Sequence, residues 1–382
     1  MRRIGPDQPP FTTAGPIGPG RSPFTTAALI GPGRSPFAIA GRPVGPGHPP
    51  FVIAEMSGNH DGSLERALSI VDAVAAAGAH ALKLQTYRPD TITVDADGPA
   101  FRIGDGHELW GGERLYQLFE RAHTPWEWHE PIFARARERG LVAFSSPFDP
   151  TAVELLEELG APAYKIASSE IVDLPLIRLA AATGKPLIIS TGMATVGEIH
   201  AAVEAARGAG CDQLAVLSCT ASYPASPAES NLRSLPLLGA ITGAVTGVSD
   251  HTPGLGAALA AVALGACLIE KHLTLSRAGG GVDAAFSLEP AELAALVVES
   301  ERAWQSLGSA AIGPRASEHE GLRFRRSLYV VRDVRAGEPV TELNVRSIRP
   351  AGGLPPAAAP EVMGRRFTRD APLGTPLTWD LI

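Results

Sequence analysis

Residues 244–272 read Ala244-Val-Thr-Gly-Val-Ser-Asp-His251, then a stretch from Pro253 to Gly265 rich in alanine and leucine, then Cys267-Leu-Ile-Glu-Lys-His272. Each apolar run is short, bounded by turn residues and closed by a histidine, as a buried strand would be. The stretch between them is patterned for a helix. Strand, helix and strand in that order make one parallel unit, because parallel neighbours need a crossover connection. If the two strands are neighbours, the imidazoles of His251 and His272 lie side by side at one end of the sheet. Two such rings can share a divalent metal, or they can be core histidines held by hydrogen bonds.

The same rhythm runs back to Phe51. Strand candidates are Phe51–Met56, Ala79–Gln85, Leu141–Ser145, Ala163–Ser168, Leu187–Ser190, Leu214–Cys219, Ala244–Ser249 and Cys267–His272. Helical stretches such as Leu64–Ala77, Ala152–Leu159, Val196–Gly208 and Gly256–Leu264 alternate with them, and Pro290–Leu307 closes the series. This alternation predicts an α/β fold, a (β/α)8 TIM barrel over residues 51–308. An open doubly wound sheet is the alternative. Its first turn usually carries a glycine-rich dinucleotide signature, which Met56-Ser-Gly-Asn-His-Asp-Gly62 lacks. A long insert, Tyr87 to Thr124, follows the second strand, on the face where barrel active-site loops gather.

The flanks differ in character. Gly-Pro units begin at Ile4, Ile17, Ile30 and Val44, each followed by a Pro-Phe step, at Phe11, Phe24, Phe37 and Phe51. Units so short and so rich in proline and glycine bury no core of their own, so residues 1–50 are expected to be a disordered leader. Residues 309–325 read as a linker. Residues 326–382 hold short β-prone runs (Ser327–Val331, Val345–Ile348, Leu377–Trp379) between Gly/Pro turns, which predicts a small β-rich module.

Composition removes several classes of function. A net charge of −7 over 382 residues leaves no basic footprint for nucleic acid. No apolar run approaches the roughly 18 residues of a membrane span. Cys211, Cys219 and Cys267 are odd in number and lack metal-ligand spacing, so small buried thiols in a reducing cytosol are expected.

Barrel chemistry gathers at the carboxyl ends of strands. Read in order, those ends carry Glu55, Lys83 and Gln85, Ser145 and Ser146, Lys165 and Ser168, Ser190 and Thr191, Thr220, Ser249 with Asp250 and His251, and Glu270 with His272. Lys83 and Lys165 are flanked by apolar residues, and burying an ammonium without a counter-charge is costly. Beside Ser146, Ser168 and Ser190 they suit phosphate and carboxylate oxygens; pairing with interior carboxylates such as Glu55 or Glu170 is the other reading. With two imidazoles and at most a carboxylate (Asp283 or Glu270), a loosely held Mn²⁺ or Mg²⁺ fits better than structural zinc. In Gly58-Asn59-His60-Asp61, His60 either contacts substrate or shapes the turn. Trp126 and Trp128 are either core packing at a helix entry or a substrate wall.

These motifs together resemble the sialic acid synthase family. The matching segments are Ile53-Ala-Glu-Met-Ser-Gly-Asn-His60, Lys83-Leu-Gln85, Ser145-Ser-Pro-Phe148, Tyr164-Lys-Ile-Ala-Ser168, Ser190-Thr-Gly-Met193, Cys219-Thr-Ala-Ser-Tyr-Pro224, Ser249-Asp-His-Thr252, Glu270-Lys-His272 and Ser287-Leu-Glu-Pro290. The tail resembles the antifreeze-like (SAF) domain of these enzymes, with Arg349-Pro-Ala-Gly-Gly353 matching its substrate loop. Within the family, Thr124-Pro-Trp-Glu-Trp128, Gly280 to Pro290 and Leu217-Ser-Cys-Thr220 lean toward the pseudaminate branch, although that branch often has lysine where Ser218 stands.

The resemblance implies condensation of phosphoenolpyruvate with an open-chain acetamido sugar and water. It assigns phosphoenolpyruvate to Lys83, Ser146, Lys165, Ser168, Ser190 and Ser249, metal to His251 and His272, and orientation of the sugar to Glu55. Gln85, Asn59, His60, Thr220, Tyr223, Glu270 and Asp283 complete the expected substrate-binding set. Arg349 is expected to reach the sugar from the second copy of a domain-swapped homodimer. A barrel synthase acting on a sugar phosphate and a non-catalytic sugar-binding protein are the rival readings.

Overall fold

The computed structural model describes residues 35–106 and 109–382; the repeats beginning at Ile4 and Ile17, and residues 30–34 of the one beginning at Ile30, lie outside the described residues. Eight parallel strands close into a barrel: β3 (Phe51–Glu55), β4 (Ala81–Thr86), β5 (Val142–Pro147), β6 (Tyr164–Ile166), β7 (Leu187–Ser190), β8 (Leu214–Cys219), β9 (Val245–Ser249) and β10 (Leu268–His272). Each is hydrogen-bonded to its sequence neighbour, and β10 returns to β3 with His272 opposite Glu55. The histidine-ended runs are adjacent as expected, with Glu270 opposite Ser249. These strands read as continuous apolar runs because side chains from the lumen cover one face and helices the other.

Local chemistry sets the helix limits. Ser63 caps Leu64–Ala76, which buries Ala67, Ile70, Val71 and Val74 at helical spacing. Asp149 caps Pro150–Glu158, with proline at the first helical position. Thr195 and Glu198 form a reciprocal capping box at the start of Val196–Gly208. Gly247 serves closure: a Cβ there would meet the Leu268 carbonyl oxygen at 2.5 Å and a Leu217 methyl at 2.7 Å.

The expectation that residues 1–50 are disordered fails for 35–50. Strands β1 (Phe37–Ile39) and β2 (Arg42–Val44) pair antiparallel about Ala40-Gly41, whose φ angles of 48° and 78° suit a two-residue hairpin turn. Ile39 and Val44 are fully buried and join Phe51, Ile53, Phe144, Ile188 and Leu217 in one apolar cluster. Leader residues therefore plug the amino-terminal mouth of the barrel, because a hairpin laid on an existing apolar layer needs no core of its own.

Contacts divide the chain between Ser309 and Ala310. In the second unit, β11 (Ser327–Val330) and β12 (Val345–Ile348) pair antiparallel over a core that includes Leu328, Val340, Phe367 and Leu377. The strand expected at Leu377–Trp379 does not form. Pro376 makes an isolated bridge to Tyr329, and Trp379–Leu381 is a 3₁₀ turn. The expected linker holds two short 3₁₀ turns, Ala316–Glu318 and Glu320–Phe324. No helix among the described residues is long and apolar enough to cross a membrane.

Candidate active site

Successive side chains of a strand point to opposite faces, so each barrel strand has a lumenal column and an outer column. The lumenal columns begin apolar with Phe51 and Ile53, Ala81, Val142 and Phe144, Ala163, Ile188, Ala215 and Leu217, Val245, and Leu268. The next lumenal position toward the carboxyl end changes character in every strand but β9, where Gly247 intervenes first. It is Glu55, Lys83, Ser146, Lys165, Ser190, Cys219, Ser249 and Glu270. One polar layer thus lies directly on an apolar one, and all of it except half-buried Cys219 is buried.

The charges in that layer are paired. Lys83 makes an ion pair with Glu55, lies 3.6 Å from Glu270 and donates to Ser146 Oγ at 3.3 Å. Lys165 Nζ lies 3.7 Å from the same Glu270 oxygen, to which Ser249 donates at 3.2 Å. Burial opposes the charge on Glu270, but Lys165 and Lys83 outweigh it and hold the carboxyl below its ordinary range. Burial also opposes the charge on Lys83, where Glu270 and Glu55 prevail and push it up. At Lys165 burial prevails, aided by the like charge of Lys83, and its pKa falls. The interior carboxylate for Lys165 is Glu270. Glu170 is half-buried and pushed up to about 7 by burial.

One step further out stand the histidines. His251 and His272 meet edge to face with ring centroids 5.2 Å apart. His251 Nδ1 faces the Thr220 carbonyl at 3.0 Å, and His272 Nδ1 lies 3.5 Å from Asp283 Oδ2. The first contact orients the His251 ring, the second is an ion-pair approach without a hydrogen bond, and Nε2 is the second nitrogen of each ring. Tyr223 packs against His251 at 4.4 Å, and Phe286 lies 5.0 Å from His272. No group of three His, Cys, Asp or Glu side chains is arranged to hold a metal among the described residues. The residues that could hold a metal here are the two imidazoles, through Nε2.

Other expected residues have different neighbours. Ser190 Oγ is buried without a partner, while Ser168 Oγ accepts from the Gly192 amide at 3.1 Å. Gln85, half-buried, shares the lumenal column of Lys83. Asn59 is committed internally: its amide donates to the Leu273 carbonyl at 2.9 Å and Ser287 Oγ at 2.8 Å, and its oxygen accepts from the Asp283 amide. It positions Asp283 and does not face the lysines.

His60 has the turn-shaping role. One ring nitrogen accepts from the Gly62 amide, the other meets Thr124 Oγ1 at 3.3 Å, and Trp128 packs edge-on at 5.4 Å. The Thr220 hydroxyl donates to the Glu229 carbonyl, so Thr220 serves the site through its own carbonyl. Arg349 belongs to the second unit and is exposed there.

Two members escaped the sequence reading. Cys219 was expected as a buried core thiol, but it ends the β8 lumenal column with Sγ 3.9 Å from His251 Nδ1. Its place two residues beyond Leu217 was the available signal. Phe286 gave none, since its contact with the histidines depends on the path of the 280–290 loop.

A model of the NeuB family matches residues 70–311. The chain belongs to the NeuB family. A model of the SAF domain matches residues 325–382, so the C-terminal unit is a SAF domain. This NeuB chain is 40% identical to the pseudaminic acid synthase of Helicobacter pylori over 329 residues, 86% of the chain and 96% of the relative. It is 33% identical to the N,N'-diacetyllegionaminic acid synthase of Campylobacter jejuni, covering 83% and 95%. The structure of the N-acetylneuraminic acid synthetase of Leptospira borgpetersenii superposes with a TM-score of 0.68 at 32% identity, over 76% of this chain and 95% of that one.

Proposed function

We propose that this chain is a pseudaminic acid synthase. It joins phosphoenolpyruvate to 2,4-diacetamido-2,4,6-trideoxy-L-altrose and water, and releases pseudaminic acid and phosphate. One observation carries the chemistry: two buried lysines and two imidazoles share a lumenal face, linked by Glu270 and His272 two residues apart on β10. The 40% identity to a pseudaminic acid synthase, against 33% to a legionaminic acid synthase, supports the choice of sugar.

In this reading Lys83 and Lys165, with the hydroxyls of Ser146, Ser168, Ser190 and Ser249, take the phosphate and carboxylate oxygens of phosphoenolpyruvate. Glu270 already stands between the two ammonium groups, and Glu55 pairs with Lys83. The lysine–carboxylate cluster is close to neutral before any anion arrives, so an anionic substrate leaves negative charge to offset. A divalent cation such as Mn²⁺ or Mg²⁺, held by His251 and His272, would offset that charge and polarise the sugar aldehyde.

The enol carbon adds to the aldehyde carbon. Water adds to the resulting oxocarbenium-like centre, and the tetrahedral product expels phosphate. Lys83 and Lys165 stabilise the departing phosphate, and Glu55 orients the sugar. In the same reading the chain is a cytosolic domain-swapped homodimer, with Arg349 of one copy serving the other barrel; its free cysteines and the exposure of Arg349 support this.

A second reading, another acetamido sugar as in N-acetylneuraminate or legionaminate synthases, rests on Ser218, which departs from the lysine frequent in the pseudaminate branch. Separate incubations with phosphoenolpyruvate, Mn²⁺ and each candidate sugar, read by product mass and phosphate release, decide between them. A condensation product with the altrose sugar is expected. Turnover confined to another sugar selects the second reading, and turnover with none removes both.

A further inference from the structure

The outer column behind the two histidines is not apolar. On β9 and β10 it runs through Val248 and Ile269, which pack in the layer between barrel and helices, and then reaches Asp250 and Lys271. Both are buried, Lys271 at 1% exposure and Asp250 at 4%. Lys271 Nζ donates to Asp250 Oδ2 at 2.9 Å and to the Thr252 carbonyl at 2.7 Å. Asp250 Oδ1 accepts from the Thr252 amide at 2.9 Å. Lys271 therefore grips the chain on both sides of His251, while its own backbone leads directly into His272.

Desolvating two charges is costly, and a buried ion pair can often be replaced by apolar side chains without loss of stability. What such a pair adds is fixed geometry. Here the geometry fixed is the backbone immediately beside both imidazoles. We propose that the Lys271–Asp250 ion pair is a positioning device that sets the separation of His251 and His272 from behind the barrel wall, and with it their affinity for a divalent cation. This rests on the reading of the two histidines as the metal pair. Groups that orient ligands from outside the ligand set typically change metal affinity by about 10- to 100-fold when removed.

The test is titration of chelator-treated full-length protein with Mn²⁺, followed by calorimetry and by the electron paramagnetic resonance of free Mn²⁺. Thermal melting without metal is measured alongside. The variants are Lys271→Met, the apolar pair Asp250→Leu with Lys271→Met, and His272→Ala. Lys271→Met is expected to weaken Mn²⁺ binding about tenfold or more, while KM for phosphoenolpyruvate stays within about twofold because the lysine cluster is untouched.

The double variant is expected to melt near the parent and still bind Mn²⁺ weakly, a result that a purely structural ion pair does not give. It also supplies the measurement should Lys271→Met fail to fold. Parent-like Mn²⁺ affinity in either folded variant overturns the positioning role alone. A parent that does not bind Mn²⁺, or His272→Ala binding as the parent does, overturns the histidine reading and this proposal with it.

Discussion

The two mouths of the barrel are built from the same strands and differ in almost every physical respect. At the amino-terminal mouth Phe51, Ile53, Phe144, Ile188 and Leu217 meet the β1–β2 hairpin in a dry apolar layer. At the carboxyl-terminal mouth, two residues further along the strands, Glu55, Lys83, Lys165 and Glu270 are buried as opposed charges. The difference teaches a division of labour. Apolar burial at one end supplies the stability that lets the other end hold desolvated charges at fixed positions. Ile53 lies level with Ala81 and Glu55 level with Lys83, so the change from packing to chemistry takes one lumenal step of two residues, roughly 6.6 Å.

The sharpest way to break that contrast is at the chemical mouth. His251→Ala or His272→Ala is expected to lower turnover by about a thousandfold or more, roughly 4 kcal/mol of transition-state stabilisation, while the melting temperature changes little. Steady-state kinetics in chelator-treated buffer with added Mn²⁺ checks this, and full activity of either variant ends the metal reading. The plug should respond in the opposite sense. Ile39→Ala removes a fully buried side chain and is expected to cost about 3 kcal/mol of stability in denaturant unfolding, with kcat/KM unchanged. A large loss of activity without loss of stability would erase the division between the mouths.

Lys165→Met probes the charge layer itself. It is expected to lower kcat/KM for phosphoenolpyruvate about 30-fold, on the scale of one or two charge-assisted hydrogen bonds, and to leave the sugar KM nearly unchanged. Unaltered kinetics would remove Lys165 from the anion site.

The smallest single-residue effect lies beside the carboxyl-terminal mouth, where His60 follows β3 and His129 meets Thr86 at the end of β4. Burial lowers His60 and His129 from the ordinary 6.5 to about 4, so both are neutral in the folded chain. The unfolded chain takes up those protons first, so this stability is full above pH 6.5 and falls as the pH drops toward 4. Unfolding free energy should decline by about 2 kcal/mol per histidine between pH 7 and pH 5. His129→Gln should flatten that slope, and an unchanged slope would show that His129 takes up its proton in the fold as readily as in the unfolded chain.

Much of the barrel was legible because its signals are local. Buried parallel strands read as apolar runs, and Val196–Gly208 and Pro290–Leu307 announce their limits through caps and prolines. Polar strand ends such as Lys83, Lys165 and Glu270 were legible for the same reason, as isolated charges inside apolar surroundings. The hairpin at 37–44 was not, because its Gly/Pro-rich composition is that of a disordered repeat and only the barrel floor gives Ile39 and Val44 something to bury against. The strand expected at Leu377–Trp379 is cut short: Thr375 and Leu377 hydrogen-bond through their backbones to Val330 and Leu328, but Trp379–Leu381 turns into a 3₁₀ helix.

The sequence by itself determined the order of elements, the face on which the charges lie and the family resemblance, because strand alternation and helix capping act over a few residues. Tertiary structure alone decided which charge meets which. Glu270 serves Lys83 and Lys165 together, Asn59 and His60 turn into the wall, and Lys271 closes behind His251 on Asp250. Those pairings depend on strand register and loop path around a closed barrel, and a one-residue shift in register would send the strand residues Lys83, Lys165, Glu270 and Lys271 to the other face.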